Sequence, residues 1–97
     1  MIRLNVSMIV ETSENCKHLQ EKAIELVAAS LHDKGCISYD LYQSKTNNDR
    51  YMIVETWASK EDLEAHKETE HFKRLVPELE KYSTLTMEVF EFSSKKL

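Results

Sequence analysis

Cys36-Ile37-Ser38-Tyr39-Asp40-Leu41-Tyr42-Gln43-Ser44 is followed by Lys45-Thr46-Asn47-Asn48-Asp49 and then by Arg50-Tyr51-Met52-Ile53-Val54-Glu55-Thr56-Trp57. The first stretch, with Tyr39, Leu41 and Tyr42, has the composition of a strand. The middle has the composition of a turn, and the last reads as a strand again. A connection this short pairs the two strands antiparallel, as a hairpin. Upstream, Ile2 to Val10 alternates: Ile2, Leu4, Val6, Met8 and Val10 point one way, Arg3, Asn5 and Ser7 the other. Between this strand and the hairpin, Thr12-Ser13-Glu14-Asn15 supplies capping side chains for a helix. Leu19, Ala23, Leu26, Val27 and Leu31 form its apolar stripe. The helix is expected to close at Asp33-Lys34-Gly35. Downstream, Ser59 with a carboxylate three residues on opens a second helical region. It gives way near Thr69-Glu70-His71 to a stripe of Phe72, Leu75, Val76 and Leu79, with Pro77 expected to kink or shorten it. A last strand runs from about Thr84 to Phe92, and residues 93–97 read as a frayed tail.

The order is β-α-β-β-α-β, an α+β ferredoxin-like arrangement with a four-stranded antiparallel sheet and helices on one face. With 97 residues the chain makes a single domain, 1–97, and its core is thin. The bare face of the sheet would carry residues such as Ile9, Tyr42 and Phe90, an apolar patch that monomers seldom leave open. A homodimer that covers this face and leaves a cavity there is the expectation.

Seventeen acidic residues against thirteen basic ones argue against nucleic acid as a partner. No apolar run reaches the roughly 18–20 residues that span a bilayer, and Met1–Glu11 lacks a secretory pattern, so a cytoplasmic protein with reduced Cys16 and Cys36 is expected. Neither cysteine has a basic neighbour to activate it. Gly35 is the only glycine, so neither a phosphate-cradling loop nor a dinucleotide fingerprint can be written, and a flavin or nicotinamide cofactor held in the usual way is not expected.

Few residues invite chemistry. His66 and His71 lie roughly 140° apart on an unbroken helix, so they would not grip one metal ion, and no metal is expected. Asp62 stands four residues before His66, in reach to orient its ring. Glu55 is the odd member of the row Tyr51-Ile53-Glu55-Trp57. Buried, it must be paired or have a raised pKa; at the rim it would pair with Arg3 or Arg50. Asn5 could orient a carbonyl or simply stand on the rim. Trp57 at a strand end suits core or interface.

Gly35 to Tyr42, then Glu55-Thr56-Trp57-Ala58-Ser59-Lys60-Glu61-Asp62-Leu63-Glu64-Ala65-His66, then His71-Phe72, together resemble the antibiotic biosynthesis monooxygenase domain family over nearly the whole chain. The resemblance implies a dimeric α+β barrel. It also implies one of the family's activities: quinol or anthrone oxygenation without metal or flavin, haem degradation, or isomerisation of a phosphorylated autoinducer. The chain departs from the haem-degrading branch, because His66 stands where that branch has tryptophan and Val76 near where it has the ligand histidine. The leading expectation is a cofactor-independent monooxygenase of a quinol-like small aromatic. In it His66 is the base, Asn5 steadies the oxyanion, and Trp57, Tyr39, Glu55 and His71 bind substrate. The alternatives are the isomerase, with Lys34, Arg3 and Arg50 as phosphate-binding candidates, and a non-catalytic dimeric binding module.

Overall fold

A computed structural model describes residues 1–96. The elements run β1 (Ile2–Ile9), α1 (Ser13–Ser30), β2 (Cys36–Gln43), β3 (Arg50–Trp57), α2 (Lys60–Lys67), α3 (Glu70–Tyr82) and β4 (Thr84–Glu91). The sheet is antiparallel with strand order β2-β3-β1-β4, so the two strands central in the sheet are the first and third in sequence. This is the expected ferredoxin-like α+β fold, with the second helical region divided in two. Residues 93–96 carry no regular element, and Leu97, the end of the expected tail, lies outside the described residues.

Each helix starts on a hydroxyl cap. Thr12 accepts from the Asn15 amide at 3.2 Å, Ser59 from Asp62 at 3.2 Å and Thr69 from Phe72 at 3.2 Å. Such a side chain satisfies one of the amides a helix start leaves without a partner. Thr69 is the decisive cap, since it interrupts the helical run after Lys67 and restarts it at Glu70. α3 then continues through Pro77 to Tyr82, so the proline does not shorten it. α1 ends at Ser30, earlier than expected. Gly35 does take a positive φ of 79°, but it does so in the turn that enters β2, where its carbonyl accepts from the Ala58 amide at 2.8 Å. Leu31, expected in the buried stripe, is exposed, and Ser30 is buried in its place.

Strand parity divides the side chains between two faces. Ile2, Leu4, Val6 and Met8 face the helices with their partners Trp57, Glu55, Ile53 and Tyr51. Tyr39 and Leu41 extend this layer across β2. α1 adds Leu19, Ala23 and Leu26, while α2 and α3 add Leu63, Leu75 and Leu79, and all are buried. Each fully buried Val, Leu, Ile or Met among them contributes about 1.5–3 kcal/mol through removal from water. The opposite face holds Arg3, Asn5, Ser7, Ile9, Met52, Val54 and Phe90 by the same registers. Ile9, Tyr42 and Phe90 are exposed there, as their alternation requires.

Candidate functional site

On the helix face the sheet and helices do not close completely. A cavity of about 250 Å³ remains, walled by Leu63, Phe72, Val76 and Leu79 from the helices and by Val6, Ile53 and Met87 from the sheet. Tyr39 and Glu55 are cross-strand partners on its floor, and Lys67 and Glu80 are its other charged or strongly polar contacts. The hollow therefore lies within a single chain, between the layers. It was expected on the bare side of the sheet, where a partner chain was expected to enclose it.

Glu55 is only 3% exposed. Burial pushes its carboxyl up to about 7, against the opposing pull of the Trp57 indole, the Tyr39 hydroxyl and the Lys67 charge. The Trp57 Nε1–H donates to Glu55 Oε1 at 2.9 Å. The rim alternative thus fails: Arg3 instead donates to Thr56 Oγ1 at 2.9 Å on the other face, and no ion pair joins Glu55 to Arg3 or Arg50 among the described residues. Burial holds the neighbouring Tyr39 hydroxyl far above its ordinary pKa, so it remains a protonated donor. It also pushes the Cys36 thiol up to about 11, which agrees with an unreactive cysteine.

His66 is 1% exposed and packed among rings. Its imidazole lies 4.5 Å from Trp57 at a 34° tilt and meets the edges of Tyr39 and Phe72 at 5.6 and 5.2 Å. Its Nδ1 is 2.7 Å from Asp33 Oδ2, and Nε2 of His71 is 2.8 Å from the same oxygen. A carboxylate oxygen only accepts, so both imidazoles donate to it. Burial lowers the pKa of His66, with Asp33 pulling it the other way. Burial favours the neutral ring, and with its proton on Nδ1 toward Asp33 the Nε2 is left without a partner among the described residues. The expected separation of the two histidines does not hold, because Thr69 breaks the helix between them and their rings come within 5.9 Å. Asp33, not Asp62, orients His66. Sequence reading missed it: 33 positions separate the pair, and no local spacing connects them.

The structure brings together Glu55, Tyr39, Trp57, His66 and His71. It does not bring Asn5 to them. Asn5 pairs in register with Val54 and Glu88 and faces away from the helices, so the sheet stands between its amide and the cavity. The expectation that Asn5 and His66 line one chamber is corrected by parity, since Leu4 and Val6 on either side of Asn5 both line the cavity.

A buried carboxyl poised near neutrality inside an apolar hollow is a group able to take a proton from a weakly acidic small molecule. This chemistry accompanies a family match. Residues 1–78 match the family described as antibiotic biosynthesis monooxygenase, and the chain belongs to that family. Among solved structures it is similar to a Bacteroides thetaiotaomicron protein of unknown function, suggested to be an oxidoreductase. Identity is 43%, with 94% of this chain and 96% of that one covered and a TM-score of 0.90. SnoaB, a cofactor-independent oxygenase from Streptomyces nogalater, has the same fold at 12% identity and a TM-score of 0.86, with 97% and 94% covered. A curated relative from Synechocystis sp., of uncharacterised function, is 28% identical over 74% of this chain. The chain spans about half of that relative's length, 47%.

Proposed function

We propose that this member of the family oxygenates a quinol-like or other electron-rich small aromatic, with Glu55 as the proton acceptor. The supporting observation is the Glu55 carboxyl, buried in an apolar cavity and raised to about 7. Oxygen reacts slowly with closed-shell molecules but accepts an electron from a phenolate or enolate. Ionised Glu55 takes the hydroxyl proton, and the surrounding apolar wall keeps the resulting anion away from water. The anion passes one electron to O2, and the two radicals join as a carbon–oxygen bond. As the O–O bond breaks, Glu55 returns its proton to the departing oxygen, and the carbon that gained oxygen loses its hydrogen as the second proton of the water. One oxygen stays in the product and the other leaves as water: quinol plus O2 gives hydroxyquinone plus water, with all electrons drawn from the substrate. Tyr39 stands beside the carboxylate as a donor. His66 acts one step back as the platform on which Trp57 rests, and His71 supports it through Asp33.

The measurement is oxygen uptake with reduced menadione. Wild-type turnover that disappears in Glu55→Gln supports the reading, and absence of turnover in the wild type overturns it. Lys67 favours one second reading, because it offers a cation at the same cavity for a phosphorylated substrate. Isomerisation of a phosphorylated dihydroxy ketone without oxygen uptake would select it. Of the three candidates expected from the sequence, Arg3 and Arg50 are on the opposite face, and Lys34, in the turn before β2, does not line the cavity. A ligand held in the cavity and never transformed would select the binding module.

A homodimer formed through the bare sheet face completes the proposal. Ile9, Tyr42, Met52 and Arg50 edge a groove of about 470 Å³ on that face, and burying it would remove the exposed apolar side chains from water. A cytoplasmic setting fits two free cysteines, and no helix among the described residues is long and apolar enough to cross a membrane.

A further inference from the structure

Asp33, His66 and His71 reach one point from three parts of the fold: the turn before β2, the last turn of α2 and the first turn of α3. One ligand-type atom from each lies within 4.8 Å of the others. We infer that these three side chains form a binding site for a divalent transition-metal ion, with two imidazoles and one carboxylate as ligands. With bonds of about 2.1 Å, adjacent ligands stand about 3.0 Å apart in octahedral geometry and about 3.4 Å apart in tetrahedral geometry. The two imidazole nitrogens are 2.7 and 2.8 Å from the shared oxygen. An outward shift of a few tenths of an ångström admits the ion.

The donor chemistry selects the class of ion. Imidazole suits zinc, iron, nickel and copper, whereas magnesium and calcium prefer oxygen ligands. Access is open on one side: Asp33 is 15% and His71 17% exposed, while His66 is sealed beneath them. Water can complete the coordination from that side. Binding needs no net loss of protons. The ring proton of His66 moves from Nδ1 to Nε2, and that of His71 from Nε2 to Nδ1. Nε2 of His66 is unpartnered before and after, so this tautomer exchange adds little burial cost. None of the three residues lines the cavity, so the ion would not touch substrate. It would staple the α2–α3 break to the turn before β2 and so fix the ring on which Trp57 rests.

The experiment uses the tag-free full chain, stripped with chelator and titrated with Co2+ and then Zn2+. One ion per chain is expected, with a visible Co2+ absorption band that Zn2+ displaces. In histidine-ring NMR, Co2+ should broaden His66 and His71 far more than His18, which is on α1 and stacks on Tyr82. Asp33→Asn and His71→Ala should each weaken binding at least tenfold, and His32→Ala should not change it. Absence of saturable binding, stronger broadening of His18 instead, or equal affinity in Asp33→Asn and His71→Ala would overturn the assignment. The wild-type ring spectra decide the matter if a variant does not fold.

Discussion

Trp57 donates its indole N–H to Glu55 at 2.9 Å from two positions along the same strand. The two side chains share the helix face of β3, and the other side of the indole rests on His66. One tryptophan thus connects the carboxylate in the cavity to the Asp33–His66–His71 cluster.

Removing the carboxylate should remove the reaction. Glu55→Gln is expected to lower kcat by about 10²–10⁴-fold, the usual contribution of a positioned base. In the wild type, kcat/KM should rise with pH and level off above about 7, where Glu55 is ionised. Steady-state oxygen uptake from pH 5 to 9 checks both.

The same substitution should alter stability with a definite sign. A carboxyl raised from 4.5 to about 7 in the folded state binds its proton more tightly there than in the unfolded chain. Its contribution is therefore full below about pH 4.5 and is lost as pH rises to about 7. Glu55→Gln should become progressively more stable relative to wild type over that window, by on the order of 3 kcal/mol at the upper end. His66 works the other way, since its lowered pKa costs stability as pH falls. It is common to both proteins and cancels in the difference between their urea denaturation curves.

Trp57→Phe keeps a ring for His66 to pack on and deletes the donor to Glu55. The indole lowers the Glu55 pKa, so the carboxyl should titrate at higher pH in this variant than in wild type. Carboxyl 13C NMR reads the shift directly, and the rate profile should move with it. An unmoved midpoint would mean that the hydrogen bond is not felt.

Gly35→Ala should be costly for two reasons. Its φ of 79° is strained for any residue with a Cβ, and that Cβ would collide with the Asp62 side chain near the start of α2. A loss of about 1–3 kcal/mol is expected from the backbone strain alone, seen as a lower Tm in calorimetry. Partial recovery in Gly35→Ala combined with Asp62→Gly, which removes every Asp62 side-chain atom the new Cβ would meet, would separate the collision from the strain.

Phe90→Glu places a charge on the bare face without touching the cavity. If that face is the dimer interface, sedimentation should show wild-type dimers and variant monomers at the same concentration. A wild type that sediments as a monomer removes the dimer from the proposal.

Most of the architecture was legible in local pattern. The alternation of Ile2, Leu4, Val6 and Met8 marks a strand with one buried face, and Thr12, Ser59 and Thr69 stand where helices begin. The end of α1 was not, because Leu31 continues the apolar period although α1 stops at Ser30, and only tertiary packing leaves it outside. The site divides likewise. Glu55 and Trp57 share a row by parity, which any reader of β3 can see. Which row meets the helices depends on the fold as a whole: Asn5 stands on the row read for it, opposite Leu4 and Val6, but the cavity and His66 are on the other side of the sheet. Asp33 is a long-range partner with no periodic signature. The meeting of His66 and His71 depends on a helix break whose cap was visible and whose geometric effect was not.

Alternation along β3 also determines how this protein can change over generations. Losing one amino acid from the 45–49 turn leaves every strand side chain pointing as before. Losing one from 52–54, immediately ahead of Glu55, would rotate the acid outward and send Val54 or Thr56 toward the hollow. The hairpin tip can therefore vary freely in length, whereas a single deletion a few positions later would move the acid from the chamber to the surface where two chains are proposed to meet.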